Sequence, residues 1–180
     1  MKHDDIHIIK EVLGGKSEQF EHILDRYSEQ VFNLIAHIVP CKEDAEELTQ
    51  DVFIKVFRLL STFKEESSFS TWIYRIATNT AISATRKRKH DTLHLDDAAY
   101  SNIPEEIIDE ALDNDSEEQL QRLSDAIEML RADERALITL YYINEKPIAE
   151  VASVLGLTAS NVKIKLHRIR KKLYLILNDL

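Results

Sequence analysis

The chain predicts an all-α protein, built as two small helical domains joined by an acidic linker, with a helix-turn-helix in the C-terminal one. Only 3 Gly and 3 Pro occur in 180 residues, too few punctuating residues for a sheet-rich fold. Apolar residues recur at helical spacing almost everywhere. Charge supplies the division: the net charge is −9, yet residues 1–90 carry 13 basic and 14 acidic side chains, residues 91–119 carry 0 and 11, and residues 120–180 carry 10 and 7. The predicted units are therefore 1–90, a flexible acidic linker over 91–115, and 116–180. At 44% hydrophobic content each unit has enough apolar residues for a core.

The first predicted helices run from Asp4 to Leu13, stopped by Gly14 and Gly15, and from Ser17 to Val39, stopped by Pro40. Phe20, Ile23, Leu24, Tyr27, Val31, Leu34, Ile35 and Ile38 make the second strongly periodic, the pattern of a core helix. The next, Glu43 to Leu60, has two usable faces. Ala45, Leu48, Val52, Val56 and Leu59 form an apolar stripe, while Glu47, Gln50, Asp51, Ile54 and Arg58 gather on the other side. That second face reads equally as a solvated surface with one stray Ile and as a docking surface with an apolar centre and a charged rim.

A further helix is predicted from Phe69 to Lys89. Phe63, Phe69, Trp72 and Tyr74, followed by the consecutive cations Arg86, Lys87, Arg88 and Lys89, are the ingredients of a single-strand nucleic-acid site, with flat rings for unstacked bases and charges for the backbone. Read alone, the same residues also fit a core helix with a solvated basic end, where cations complement the helix dipole. Residues 91–119 hold 11 acids and no base, a linker composition. Such a segment separates domains; it could also shield the basic helices.

Helical periodicity resumes through Leu120, Leu123, Ile127 and Leu130, with Asp133 as a predicted N-cap for the next helix. The stretch 147–173 then reads PIAEVASVLGLTASNVKIKLHRIRKKL. Ile148 to Leu155 gives a short amphipathic helix, Gly156 the turn, and Thr158 the cap of a second helix, a helix-turn-helix pattern. Val162, Leu166, Ile169 and Leu173 form the stripe to be buried, leaving Lys163, Lys165, Arg168, Arg170, Lys171 and Lys172 as a basic face suited to phosphates.

The single cysteine, Cys41, excludes a disulfide framework and a cysteine zinc site. The histidines form no repeated ligand set, so no metal is expected, and no cofactor. No phosphate loop or nucleophile motif points to an enzyme. With neither a membrane-length apolar run nor a signal-peptide core, a cytoplasmic location with no membrane insertion is expected.

Three stretches together carry a resemblance: DAEELTQDVFIKVF at 44–57, FSTWIYRIATNTA at 69–81, and EVASVLGLTASNVKIKLHRIRKKL at 150–173. In this order, around an acidic linker, they resemble bacterial RNA polymerase sigma factors of the extracytoplasmic-function (ECF) group of the sigma-70 family. The resemblance implies a factor that binds core RNA polymerase, through its β′ clamp helices and β flap, and directs it to promoter DNA. It implies Glu47, Gln50, Asp51 and Ile54 for polymerase binding. For the melted minus-ten element it implies a reading loop from Phe63 to Thr71, including Ser68 and Phe69, supported by Trp72, Tyr74 and Asn79, with Arg86, Lys87 and Arg88 behind it. For the minus-thirty-five duplex it implies Thr158, Ser160, Asn161, Lys163, Ile164, Lys165 and Arg168. Members are often held by an anti-sigma factor, and none is identified by this sequence.

Two departures from the family pattern fall at Ile164-Lys165, where a small polar residue and an Arg are common, and at Arg131, where a Pro is common. Lys cannot form the planar fork that Arg makes with guanine, whereas Ile164 suits a thymine methyl. The rival reading is a helix-turn-helix regulator that binds duplex operators without entering the polymerase. It leaves the aromatic and basic helix at 69–89 unexplained.

Overall fold

A computed structural model describes residues 2–87 and 117–179, and every regular element among them is helical. In order these are α1 (Lys2–Leu13), a short 3₁₀ turn (Ser17–Phe20), α2 (Glu21–Ile38), α3 (Lys42–Leu59), a second 3₁₀ turn (Leu60–Thr62), α4 (Phe69–Lys87), α5 (Glu117–Glu128), α6 (Ala132–Ile138), a π turn (Thr139–Ile143), α7 (Ile148–Leu155) and α8 (Ala159–Asp179). The expected linker over 91–115 lies outside the described residues. No helix among the described residues is long and apolar enough to cross a membrane.

The N-terminal bundle packs α2, α3 and α4 against one another. Helix α2 supplies Ile23, Val31, Leu34, Ile35 and Ile38, all with almost no exposure; α3 supplies Ala45, Val52 and Val56; α4 supplies Ile73, Ala77 and Ala81. Each large aliphatic side chain so buried contributes about 1.5–3 kcal/mol before entropy is counted. Helix α1 is tied on by polar contacts. Buried Asp5 accepts from the Tyr27 hydroxyl at 2.8 Å, and Arg26 bridges Asp4 and Asp5. Burial, reinforced by the bond to Asp5, pushes the Tyr27 phenol well above its ordinary range.

The α3 stripe differs from the periodicity in one place. Leu59 is exposed at 42%, and Phe53 and Leu60 take the buried positions, because the helix tightens into a 3₁₀ turn at Leu60 and rotates the next side chain inward. Gly14 and Gly15 end α1 as expected, with Gly15 at φ 101, and Val39 leaves α2 in extended conformation just before Pro40.

In the C-terminal bundle α8 lies against α5, α6 and α7. Leu120, read as a core position, is 55% exposed, and Ala126 with Leu130 fills the core instead. Asp133 is not the cap of α6. The helix starts two residues earlier than a cap at Asp133 would place it, Arg131 occupies the cap position, and its backbone N–H donates to Glu134 Oε2 at 2.9 Å. Asp133 sits in the first turn, where a carboxylate still complements the dipole.

Lys172, counted from the sequence in the basic face, is buried. Its ammonium donates to Glu134 Oε2 at 2.9 Å, locking α8 to the start of α6. A buried pair that loses one partner leaves the other charge stranded. Lys172→Met is therefore expected to destabilise the protein by about 3 kcal/mol, read as a fall in the denaturation midpoint. Adding Glu134→Gln, which keeps the acceptor for the Arg131 N–H, recovers most of that loss.

Candidate nucleic-acid and docking interfaces

Helices α2 and α3 enclose an open groove of about 810 Å³ lined largely by Phe20, Leu24, Phe32, Phe53, Ile54 and Phe57, with Gln50, Glu46, Glu29 and Arg58 at its edges. Ile54 and Phe57 are 49% and 44% exposed, and the Phe57 ring meets Phe20 edge-on at 5.1 Å. Of the four residues expected on this face, Gln50 and Ile54 line the groove. Glu47 lines a separate small cleft with Val39, Pro40 and Thr85, and Asp51 is exposed beside neither. The sequence reading missed Phe57, which follows Ile54 by three residues and was therefore on the same helix face. It also missed the α2 wall, whose Leu24 and Phe32 resemble core positions in a pattern that records only periodicity.

The second surface begins in the turn before α4. The Ser68 hydroxyl caps the helix, accepting the Thr71 N–H at 3.2 Å and meeting the Thr71 hydroxyl at 2.7 Å and the Ser70 hydroxyl at 2.9 Å. Glu65 has φ 59, the left-handed region that non-glycine residues seldom occupy. The aromatic residues stack among themselves: Phe69 lies over Trp72 at 5.6 Å and 20°, and Phe63 packs against both, at 5.2 and 5.5 Å. Phe69 and Tyr74 are each only 3% exposed. Any ring area offered to a base thus belongs to Phe63 and Trp72, with Phe69 as the platform beneath them.

From Trp72 an exposed stripe runs along α4 through Arg75, Asn79, Ser83 and Arg86. At about 100° per residue these positions fall within one narrow arc. Arg75 was missed by the sequence reading, although it stands four residues before Asn79 on the same face. Thr71 points elsewhere. It is 5% exposed, and its hydroxyl donates to Glu150 Oε1 at 3.0 Å. The Lys87 side chain and Arg88 lie outside the described residues.

The third surface is the helix-turn-helix. Gly156 takes the left-handed conformation, φ 65 and ψ 35, and Leu157 N–H returns to Ala152 O at 2.9 Å to close α7. Thr158 then caps α8, its hydroxyl accepting the Asn161 N–H at 3.1 Å. Val162, Leu166, Ile169 and Leu173 are buried as the spacing predicts. Thr158, Ser160, Asn161, Lys163, Ile164 and Arg168 are exposed together on the first turns of α8, Ile164 at 48%. Lys165 is half-buried, with its ammonium 4.0 Å from Asp133.

Comparison with known proteins places these surfaces in a family. The model of Sigma-70 region 2 matches residues 23–90, and that of Sigma-70, region 4 matches residues 120–173. The ECF RNA polymerase sigma factor SigW of Bacillus subtilis (strain 168) is 30% identical over 186 residues, covering 96% of each chain. This chain belongs to the ECF sigma factors. The ECF RNA polymerase sigma-E factor of Escherichia coli (strain K12) is 29% identical over 171 residues, covering 91% of this chain and 89% of its own. Among solved structures, CnrH in complex with the cytosolic domain of CnrY shares the fold at a TM-score of 0.66 and 21% identity, covering 96% of each chain. The sigma factor RpoE in complex with the anti-sigma factor NepR from Bartonella quintana does so at 0.63 and 22%, covering 89% of this chain and 98% of its own.

The sigma factor therefore directs promoter-specific transcription by core RNA polymerase. A regulator confined to duplex operators would not account for the match over residues 23–90. The turn that sets the direction of α8 depends on Gly156, where a Cβ would meet nothing within 4 Å. The cost of Gly156→Ala is thus confined to the backbone, and a loss of about 1–2 kcal/mol in stability is expected, with Gly156→Asn milder; thermal unfolding of the three proteins checks the order.

Proposed function

We propose that the three surfaces divide the work of initiation as follows. Residues 1–90 form the docking and minus-ten unit, and residues 116–180 the minus-thirty-five unit. The groove between α2 and α3 takes the β′ clamp helices of core polymerase, with Ile54 and Phe57 as apolar anchors and Gln50 at the edge. The stripe on α4, headed by Trp72 and Phe63, holds the non-template strand of the melted minus-ten element. Rings stack on extruded bases, and Arg75, Asn79 and Arg86 hold backbone and base edges. The first turns of α8 enter the major groove of the minus-thirty-five element.

What supports this most is that the apolar groove and the basic stripe share no residue. A single small bundle can then bind polymerase and hold DNA at once. Polymerisation belongs to the core enzyme, and no chemistry is assigned to this chain. The solved relatives bound to CnrY and NepR also support an anti-sigma partner for this chain, which would compete for the surfaces polymerase needs.

Run-off transcription with core polymerase over a promoter library tests the assignment. Ile54→Glu places a charge in the apolar groove and is expected to weaken core binding by at least about tenfold without altering duplex binding by the isolated factor. A variant that binds core normally removes the groove from the docking role. On α8, Ile164→Ser is expected to relax base preference at one position of the upstream element, since a hydroxyl replaces the contact with a thymine methyl. An unchanged promoter profile would count against that contact.

A further inference from the structure

On α8, consecutive residues divide the uncovered side. Ile164 lies near its middle, and at about 100° per residue Lys163 and Lys165 project to opposite flanks. A helix about 10–12 Å across fills a major groove about 12 Å wide, so each flank of an inserted helix faces the phosphates of one strand. Lys163 is exposed on its flank. On the other flank the start of α6 lies beside Lys165, and one oxygen of Asp133 is shared between Lys165 and Arg131.

Asp133 serves these two cations unequally. Its Oδ2 accepts from Arg131 Nη2 at 3.1 Å but lies 4.0 Å from Lys165 Nζ, too far for a hydrogen bond. Arg131 and Lys165 are each 41% exposed and Asp133 38%, so both pairings are open to solvent and weakly held. Glu134 is fully engaged by contrast, its Oε2 accepting from the Arg131 backbone N–H and from Lys172 at 2.9 Å each. Among the described residues the Arg131 guanidinium makes one hydrogen bond, the one to Asp133; its Nε, 3.7 Å from Glu134, makes none. Most of the planar fork is thus left without an acceptor in the chain.

The Arg131 and Lys165 nitrogens lie no more than about 7 Å apart, which two charge-assisted bonds of about 2.8 Å to neighbouring oxygens of one phosphate can span. The carboxylate leaves Lys165 out of bonding range. A phosphodiester has an unesterified oxygen for each cation.

We infer that Arg131 and Lys165 together bind one backbone phosphate of the minus-thirty-five duplex, with Asp133 holding the pair until the phosphate displaces it. This rests on the assignment of α8 to the major groove and deepens it. Arg131 joins the DNA interface from α6, outside the helix-turn-helix, at a position where a Pro is common in the family. With Lys163 on the opposite strand, the two flanks fix the register in which Ile164 meets the bases.

The test uses holoenzyme assembled from core polymerase and the full chain, on a promoter duplex that wild type transcribes. The factor is wild type, Arg131→Ala/Lys165→Ala, Arg131→Lys, Asp133→Asn or Lys163→Ala, with matched circular dichroism spectra. Affinity is measured against salt, and on duplexes that each carry one uncharged methylphosphonate in the upstream element. The double variant should bind at least about fivefold more weakly whatever the upstream sequence, and its slope of log affinity against log salt should be shallower by about 0.9, the value for one phosphate. One methylphosphonate position should weaken wild type and have no effect in the double variant. Arg131→Lys should keep most of the slope. Asp133→Asn removes the competing charge and should bind more tightly than wild type; equal or weaker binding overturns the exchange.

If Lys163→Ala flattens the slope while the double variant keeps the wild-type slope and methylphosphonate profile, the phosphate site is wrong and the α8 assignment stands. A change of base preference in the double variant, without a uniform loss, also overturns the site, since the pair then reads bases. If neither Lys163→Ala nor the double variant alters binding, α8 does not enter the groove and the site falls with that assignment.

Discussion

One helix, α4, has to pack on two sides and keep a third side open, and the rest of the structure is arranged to allow it. Its 19 residues include Thr71, Ala77, Thr78, Thr80, Ala81 and Thr85 at buried positions. Small side chains let neighbouring backbones come close on both flanks, where Leu or Phe would hold them apart. The threonines bring hydroxyls into the interior, and most are answered: Thr85 donates to Ala81 O at 3.0 Å, Thr80 accepts from Lys55 at 3.1 Å, and Thr71 reaches Glu150. The large groups on α4 are concentrated at its start, where Phe69 and Trp72 stack and Tyr74 hydrogen-bonds to Gln30 at 3.1 Å.

The two bundles meet along α4 and α2, which both pack against the C-terminal helices. Their buried apolar residues form one continuous cluster, yet the contacts at Thr71, Tyr74, Lys146 and Glu150 are polar. Lys146 and Glu150 are each only about one-fifth exposed, 21% and 23%, so their pairing is partly shielded from water. Burial, with Glu150 nearby, holds the Tyr74 phenol above its ordinary range, so it stays neutral beneath the Lys146 cation.

Periodicity in the sequence sufficed for the helices and for the core stripe of α8, because a long amphipathic pattern has one answer wherever it packs. It also sufficed for Gly156 and Thr158, whose roles are set by local backbone chemistry. It failed at Leu59, where the helix tightened and rotated, at Leu120, which is exposed among the described residues, and at Lys172, whose partner Glu134 lies far along the chain and is invisible to any local window. The groove between α2 and α3 was half-readable for the same reason. Ile54 broke the polar face of its own helix and could be noticed, whereas Leu24 and Phe32 look identical to core residues until a second helix leaves them uncovered. Arg75 was readable but overlooked, since it shares its face with Asn79.

The distribution of charge on α8 shows how burial narrows a reading made from composition. Six cations between Lys163 and Lys172 suggest an extended phosphate-binding face, yet Lys172 is consumed by Glu134 and Lys165 lies near Asp133. The exposed side chains at the start of the helix form a mixed group: Ser160, Asn161, Lys163, Ile164 and Arg168. Hydroxyl, amide and apolar groups can distinguish base edges, which bare cations cannot. The exposed end of α8 is therefore better suited to choosing a sequence than to gripping DNA. On the proposed division of surfaces, Arg75 and Arg86 on the α4 stripe would add charge for the backbone of a single strand whose bases are read by stacking.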